Sequence, residues 1–498
     1  MQIPIFGILY MGLSLLFCLN RKWFIYWYVL GNSLFYTTII AIGTHTSIKP
    51  FHFNTLLMFI FFVRGKLFDR KIFKGLDVLL LISFFVWLVI CFIFSFYLPN
   101  GLLVLGNSNA FKGVDALVPL QPSISDLSQL AFPLFGIFAF FVLTAFMRTQ
   151  EDIKLFTRAF LWSFIPLALT VMFLFVLRNV THSGVLLQAF FRFINVLYDR
   201  DVSDNAYNSL GDISRTFTYI GEASYTAKYY LLMMSIFITL LIYKKYSIYK
   251  KYLLIGLILF QFLLIIILGS TTGYVGFCIL MCIIGYLYLR YQNRFSKKTV
   301  MSNLNFLGTN FFFLFLIGVP LCLMFLDQII FFFNYVQETH IDKLEAAAGS
   351  GENRLNSILA GLDVFFQSPI FGVGYGKNRS NSYMIFLLSD TGLIGFALLN
   401  LFCYHLIIAP LKRLNRMPKD MRVYCLIYVT IFSSAWVIYF SFASNVAILF
   451  GWFWTIAAIL AKFTTLDRLK FNEPANEEIE TEPAPLKKPS YGAIQLQA

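Results

Sequence analysis

Three arginines in the sequence stand where a polar segment meets an apolar one, a position from which they could bind an anion. Arg215 and Arg354 each precede an apolar run, and Arg379 follows three closely spaced glycines. The planar guanidinium group matches phosphate oxygens, and a charge-assisted hydrogen bond contributes about 1.5–3 kcal/mol. The three arginines therefore indicate a site for a phosphate or pyrophosphate group at the entrances of apolar segments.

The glycines ahead of Arg379 are Gly372, Gly374 and Gly376, and they follow Pro369. Because glycine has no Cβ, this spacing permits either a tight turn or a close approach of the backbone to a ligand. Spacing alone does not separate the two, so both interpretations stay open.

The elements that must position these residues are membrane helices. Of the 498 residues, 59% are hydrophobic and 13% are charged, whereas an ordinary globular domain has about 45–50% apolar and about 25% charged residues. The apolar residues form runs of about the 20 residues that a helix needs to cross the hydrocarbon core. Thirteen spans are predicted, near residues 3–19, 23–43, 48–63, 78–98, 127–147, 159–177, 221–243, 253–269, 273–290, 306–326, 383–410, 423–444 and 446–462. Lys49 and Pro50 shorten the apolar core of the third span, so the number of transmembrane helices is about 12–13. The predicted fold class is an all-α polytopic membrane protein.

The net charge of +14 is a signal of membrane topology. One set of loops carries 23 Lys and Arg in 65 residues, and the alternate set carries 10 in 137 residues. By the positive-inside rule the first set is cytoplasmic. The same rule places the C-terminus in the cytoplasm and argues against a nucleic-acid partner. Residues 1–466 are predicted to form one membrane domain, and the Glu- and Pro-rich residues 467–498 a disordered cytoplasmic tail.

Two outer loops, 178–220 and 327–382, are long enough to be functional or disordered. The second contains apolar residues with the i, i+3, i+4, i+7 spacing of an amphipathic helix, with Ser350 as its N-cap and Pro369 after its end. These apolar residues are Leu355, Ile358, Leu359, Leu362, Phe365 and Phe366. We expect this helix to lie on the outer membrane surface or over a cavity. For Lys228 and Lys377, near span ends, we expect side chains that extend to interfacial water.

Metal and disulfide chemistry are not indicated. All seven cysteines lie in apolar spans, and Cys278 and Cys282, one helical turn apart, have no histidine or carboxylate beside them. Packing explains such cysteines, and no metal site or cofactor is expected.

The run NRLNSILAGLDVFFQSPIFGVGYGKNRSNSYMIFLLSDTGLIGF resembles the signature segment of the O-antigen polymerase and O-antigen ligase superfamily. The segments SRTFTYIGEASYTAKYY and LGSTTGYVGF are similar to weaker segments of the same family, so the resemblance covers roughly residues 205–400. The residues that match the signature are Arg354, Pro369, Gly372, Gly374, Gly376, Asn381, Asp390, Gly392 and Gly395.

The resemblance implies a metal-independent, inverting glycosyltransferase on the outer face of the bacterial cytoplasmic membrane. Its donor and acceptor would be glycans linked to undecaprenyl pyrophosphate, with a chain-length regulator and a flippase as possible partners. An acceptor hydroxyl attacks the anomeric carbon, and the polyprenyl pyrophosphate leaves. Arg215 and Arg354 are assigned to catalysis, and Glu222, beside Arg215, is the first choice for the base, ahead of Glu352, Asp390 and His340. Substrate binding is assigned to Arg379, Gly372, Gly374, Gly376, Asn381, Tyr383 and Asp390.

One position separates the two activities of the superfamily. Ligases, which transfer the glycan to lipid A core, resemble one another in a histidine before the asparagine of this segment, and here Ser380 precedes Asn381. Serine cannot replace histidine as a base at neutral pH. We therefore favour a polymerase of O-antigen, capsule or exopolysaccharide repeat units over a lipopolysaccharide ligase. A multispan flippase or transporter and a structural membrane subunit are the alternatives from other classes.

Overall fold

The computed structural model describes most of the chain. The described residues are 3–34, 37–42, 46–64, 74–97, 101–105, 117–121, 124–176, 185, 186, 189, 223–268, 270–297, 299–310, 350–378, 380–442 and 451–464.

The order of elements along the described chain is dominated by helices. They are α1 (Ile5–Phe17), α2 (Arg21–Ser33), β1 (Ile40–Ile42), β2 (Thr46–Ile48), α3 (Pro50–Met58) with a π-helical continuation (Phe59–Val63), α4 (Leu76–Tyr97), β3 (Leu103–Val104), β4 (Val118–Pro119), α5 (Ile124–Phe146), α6 (Gln150–Phe175), α7 (Ala223–Tyr243), α8 (Ile248–Ile267), α9 (Thr271–Tyr291), α10 (Ser350–Gln367), α11 (Tyr383–Lys412), α12 (Lys419–Phe442) and α13 (Gly451–Thr464). Short 3₁₀ turns follow α9 and α11, at Gln292–Arg294 and Leu414–Arg416. The fold is therefore all-α apart from two small antiparallel pairs, β1 with β2 and β3 with β4.

Eight of the described helices are long and apolar enough to cross a membrane, namely α4, α5, α6, α7, α8, α9, α11 and α12. The polytopic all-α class is thereby confirmed. The predicted span 306–326 lies largely outside the described residues, so the total of 12–13 stays a prediction.

The predicted span 23–43 was wrong in its second half. Helix α2 ends at Ser33, and residues 40–42 form strand β1, with Ile40 opposite Ile48. Polar Asn32 and Ser33 end the helix, and the β-branched residues that follow favour an extended strand.

Helix α7 is buried along its length, whereas α8 exposes leucines such as Leu253 and Leu263 on its outer side. Helix α11 packs against α4, α10, α12 and α13. An apolar side chain that is exposed on a membrane helix faces lipid, so α7 lies at the centre of the bundle and α8 at its periphery.

Within the described residues, the cation-rich connections that follow α1, α5, α7, α9 and α11 lie at one end of the bundle. Arg21 forms an ion pair with the buried Asp152 at 3.0 Å and donates to the Phe146 carbonyl at 2.8 Å. Tyr243 at the end of α7 lines the same cavity as Lys419 at the start of α12. Since consecutive helices alternate in direction, the glycine-rich segment that precedes α11 lies at the opposite end.

The expectation of water-directed lysines at the span ends was wrong. The side chain of Lys228 is 2% exposed and lies over the Tyr225 ring at 5.0 Å. Lys377 is 8% exposed and donates to the Gln121 carbonyl at 3.3 Å. Both cations are held inside the protein, where a carbonyl or an aromatic face can compensate their charge.

Candidate functional site

Helix α11 is broken near its first third. Gly392 has φ 63° and ψ −172°, a non-helical conformation inside an otherwise helical segment. A side chain is strained at such a positive φ, and a Cβ here would overlap the Ile370 carbonyl. The glycine is therefore required both by its backbone conformation and by the chain that passes beside it.

The segment that passes beside the break replaces the hydrogen bonds that the helix loses there. Val373 N donates to the Ser389 carbonyl, and Gly374 N donates to the Asp390 carbonyl, each at 3.0 Å. In the other direction Leu393 N donates to the Pro369 carbonyl at 2.9 Å. Buried backbone groups must be paired, above all where water is excluded, and this segment supplies the partners.

The side chain of Asp390 accepts two hydrogen bonds from the backbone of the glycine-rich turn. Its Oδ2 accepts from Gly376 N at 2.6 Å and its Oδ1 accepts from Asn378 N at 3.1 Å, and the side chain is fully buried. A hydrogen bond between two buried protein groups contributes about 0.5–1.5 kcal/mol. Asp390 thus fixes the path of residues 374–378 relative to the break.

The alternating glycines are explained by the protein atoms around them. A Cβ on Gly372 would overlap the backbone of Asp390, and a Cβ on Gly374 would overlap the Ser95 side chain of α4. All three glycines that precede Lys377 have positive φ, between 69° and 101°. Of the two interpretations of their spacing, the tight turn is present in the structure.

Helix α4 holds the break from the opposite side. Trp87 Nε1 donates to the Thr391 carbonyl at 2.8 Å, and the Trp87 ring stacks on Phe371 with centroids 5.4 Å apart. The aromatic ring of Phe94 lies on the same Phe371 ring at 4.5 Å. The break is therefore clamped between α4 and the glycine-rich segment.

The residues that follow the turn are buried and polar. Asn378 donates to Ser389 Oγ at 2.8 Å and accepts from Leu105 N at 2.9 Å, which joins the turn to the residue after strand β3. Ser380 is fully buried and its Oγ accepts from Ser382 N at 3.3 Å. The serine at the position of the ligase histidine therefore caps a turn just before α11.

The predicted amphipathic helix in the second long loop is confirmed as α10, Ser350–Gln367. Its protein-facing side carries the small residues Ser357, Ala360, Gly361 and Val364, all fully or nearly fully buried. The large apolar residues Leu355, Leu359 and Phe366 are 45–71% exposed. Small residues permit close helix contact, and the exposed apolar side suits a membrane surface.

Helix α10 is joined to the start of α11 by a direct contact. Asn381 N donates to Ser357 Oγ at 3.0 Å, and a Cβ on Gly361 would press on Ile385. The backbone of Arg354 lies in the first turns of α10, three residues before Ser357. The position of Arg354 along the helix is thus fixed relative to Asn381.

Six of the ten predicted site residues lie in one part of the chain that the structure describes. Gly372, Gly374, Gly376, Asn381, Tyr383 and Asp390 lie in the glycine-rich turn and the first turns of α11; Gly376 and Asn381 are partly exposed, and the other four are buried. Arg215, Glu222, Arg379 and the alternative base His340 lie outside the described residues, and for Arg354 and Glu352 the structure describes the backbone only. The catalytic roles of the arginines and of Glu222 remain predictions.

The aromatic residue of the turn, Tyr375, is buried against Phe386, with an edge-on contact of 5.3 Å between ring centroids. Burial raises the pKa of the Tyr375 hydroxyl well above its ordinary value. The phenol is therefore neutral at physiological pH and suited to packing, not to proton abstraction.

The described residues contain no group of three His, Cys, Asp or Glu side chains that could hold a metal ion. The residues that the sequence did not single out are Trp87, Ser95, Gln129, Asn378 and Ser389; the side chain of Gln129 is the one that a Cβ on Gly376 would overlap. The first three lie on α4 and α5, more than 240 residues before the turn, so no local pattern connects them with it.

Comparison with known proteins supports the resemblance on a defined part of the chain. Residues 253–392 match the family model described as O-antigen ligase. The match ends at the Gly392 break and includes the whole glycine-rich turn. It supports a relation to the O-antigen polymerase and ligase superfamily, a class of membrane enzymes that act on lipid-linked glycans. No curated protein matches the chain.

Proposed function

We propose that this protein is a polysaccharide polymerase of the bacterial cytoplasmic membrane. It joins undecaprenyl-pyrophosphate-linked oligosaccharide repeat units into an O-antigen, capsule or exopolysaccharide chain on the outer face. The observation that carries the proposal is the match of residues 253–392 to the O-antigen ligase family, because that region ends in the cluster around Asp390.

The depth of the break supports a site at the outer membrane boundary. The part of α11 after Gly392 runs from Leu393 to Lys412. Twenty helical residues rise about 30 Å, which is the thickness of the hydrocarbon core. With Lys412 among the cation-rich connections, the positive-inside rule puts this end in the cytoplasm and the break at the outer boundary. Broken helices at membrane depth are tolerated where they are buried in protein or line a cavity.

The proposed chemistry needs cations beside the leaving group and a base beside the acceptor. The acceptor hydroxyl forms a bond to the anomeric carbon, opposite to the C–O bond to pyrophosphate, which breaks, so the configuration inverts. Glu222 takes the hydroxyl proton, and Arg215 and Arg354, with Arg379, stabilise the negative charge on the departing polyprenyl pyrophosphate.

Several elements that carry these residues belong to one end of the bundle. Helix α7 begins at Ala223, directly after Glu222 in the sequence, and its other end lies at the cation-rich connections. Helix α10 carries Arg354 and packs on the start of α11. A base and cations supplied from separate helices can be held in fixed relative positions only on such a rigid framework.

An O-antigen ligase is the second candidate, because the matched family model carries that description. The first candidate is preferred because Ser380 is buried and accepts a backbone hydrogen bond, so it cannot serve as the base that the ligase histidine would supply.

Deletion of the gene in its host, followed by gel electrophoresis of the surface polysaccharide, separates the candidates. A polymerase mutant shows core that carries a single repeat unit. A ligase mutant shows bare core with lipid-linked chains that accumulate, and a flippase mutant shows neither product outside. Complementation with Arg354→Ala should fail to restore the long-chain ladder, whereas Arg413→Ala, at the opposite end of α11, should restore it. A full ladder with Arg354→Ala would exclude Arg354 from the site.

A further inference from the structure

The end of the bundle opposite to Asp390 has a concave surface. A cavity of about 560 Å³ opens there, where α7 and α9 end and α12 begins. It lies about one hydrocarbon thickness from the break in α11, given the length of that helix. The proposed glycosyl transfer makes no use of it.

The lining of this cavity is strongly basic. Five cations and one acid contribute to it, namely Lys244, Lys245, Arg294, Lys419, Arg422 and Asp420. Within the described part of the chain, none of the five cations has a carboxylate oxygen within 4.0 Å. An uncompensated group of cations in a concave surface concentrates positive potential and attracts anions.

Arg422 is held in a fixed position in the wall of the cavity. Its guanidinium donates to the carbonyls of Met417, Asn415 and Arg294 at 3.0–3.1 Å. The group therefore ties together the connections that follow α9 and α11. Because all three partners are neutral, its positive charge is not cancelled.

Lys244 lies beside two aromatic rings. Its Nζ lies 5.7 Å from the ring centroid of Tyr246 and 5.9 Å from that of Tyr424. Burial raises the pKa of Tyr246 to about 12, so this phenol is neutral and does not offset the ammonium. An aromatic face attracts a cation through the ring quadrupole and carries no net charge that would neutralise it.

Apolar groups line the cavity beside the cations. Tyr243 and Phe295 contact each other with ring centroids 4.5 Å apart, and both line the cavity together with Val423. A site that is cationic on one side and apolar on the other, at the end of membrane spans, matches the boundary between a phosphate headgroup and the first acyl carbons.

We propose that this cavity binds the headgroup phosphate of an anionic membrane phospholipid. Lys245, Arg294 and Lys419, which are exposed, contact the phosphate oxygens, while Arg422 and Lys244 supply the fixed positive field. A free phosphate ion shares the phosphate chemistry but lacks the acyl chain that Tyr243 and Phe295 would contact. The two sources can therefore be separated by experiment.

The test uses the purified full-length protein in detergent and native mass spectrometry after addition of phosphatidylglycerol or phosphatidylcholine. The wild type should retain phosphatidylglycerol and should retain little phosphatidylcholine. The pair Lys245→Ala and Arg294→Ala should lower retention of phosphatidylglycerol roughly tenfold, since each basic residue near a membrane surface contributes appreciably to binding of anionic lipid. Both side chains are exposed, and the Arg294 carbonyl that Arg422 contacts is unchanged in the variant.

A matched control removes two charges from the same end of the bundle outside the cavity. Lys250 and Lys412 are exposed and do not line it. The pair Lys250→Ala and Lys412→Ala should leave retention within about twofold of wild type. Equal loss in both pairs would show that general surface charge binds the lipid, and no loss in the cavity pair would show that the cavity does not bind it. Either result would overturn the proposal.

A second arm distinguishes the source of the phosphate. Millimolar inorganic phosphate should leave most of the phosphatidylglycerol bound, because the ion has no acyl contacts. Complete displacement of the lipid by inorganic phosphate would assign the cavity to a free anion and would contradict the lipid site.

Discussion

The Asp390 carboxylate accepts a hydrogen bond from the Gly376 backbone N–H at 2.6 Å, across 14 residues of chain. The contact joins the broken helix α11 to the glycine-rich turn that precedes it. A buried carboxyl group with a backbone donor on each of its two oxygens is a positioning group, because both oxygens hold the path of the turn. The shape of the proposed site therefore depends on Asp390.

Replacing Asp390 with asparagine should destabilise the protein. The amide presents an N–H₂ group to one of two backbone N–H donors, so at least one hydrogen bond is lost and a buried N–H is left without an acceptor, at about 1–3 kcal/mol. Thermal denaturation of the purified variant in detergent measures the effect. Asp363→Asn is the matched control, since Asp363 is an exposed acid on α10. Equal stability of the two variants would contradict the positioning role.

Gly392→Ala should disrupt the break in α11. The alanine Cβ would meet the Ile370 carbonyl, and the positive φ adds strain of about 1–3 kcal/mol. We expect a lower yield of folded protein by size-exclusion chromatography. Gly256→Ala on α8 is the control, because a Cβ there meets nothing within 4 Å. An unchanged yield for the Gly392 variant would mean that α11 can run through this point without a break.

Ser380 offers a test of the polymerase over the ligase. Ser380→Ala removes the hydroxyl that accepts a hydrogen bond from the Ser382 backbone N–H. We expect a loss of about 1 kcal/mol in stability, while chain elongation persists. Ser380→His should fold poorly, because the site is fully buried and an imidazole is larger than a hydroxymethyl group. Loss of elongation in a well-folded Ser380→Ala variant would give the serine a chemical role that we do not assign to it.

Metal chelation tests the expected metal independence. The proposed mechanism stabilises the leaving pyrophosphate with arginines alone, so an excess of EDTA should leave the rate of glycan elongation unchanged. The assay follows lipid-linked product length with membranes that contain the protein. A rate that falls on chelation and returns with added Mg²⁺ would show that a divalent cation takes part.

The sequence predicted the longer helices well because their apolar runs exceed the length needed to cross a membrane. It did so less well near the N-terminus, where α2 stops at Ser33 and β1 follows, because apolar β-branched residues fit a strand and a span equally. Periodicity predicted helix α10. It did not show that the side with the small residues, which includes Gly361, would contact the rest of the protein.

The glycine-rich turn shows a different limit of sequence reasoning. Its glycines and Asp390 were singled out, but their purpose depends on Trp87 and Ser95, which come from a helix far away in the chain. A contact between segments so distant in sequence leaves no local pattern. Only the packed structure shows that the turn and α4 enclose the break together.

Reconstitution tests the central claim most directly. The purified protein is placed in liposomes with undecaprenyl-pyrophosphate-linked repeat units as the only glycan, and the lengths of the lipid-linked products are measured by gel electrophoresis. The polymerase account predicts a ladder of products that grow by whole repeat units, and an Arg354→Ala protein should give single units only. Products that form only when lipid A core is supplied, each with one transferred glycan, would contradict the polymerase and identify a ligase.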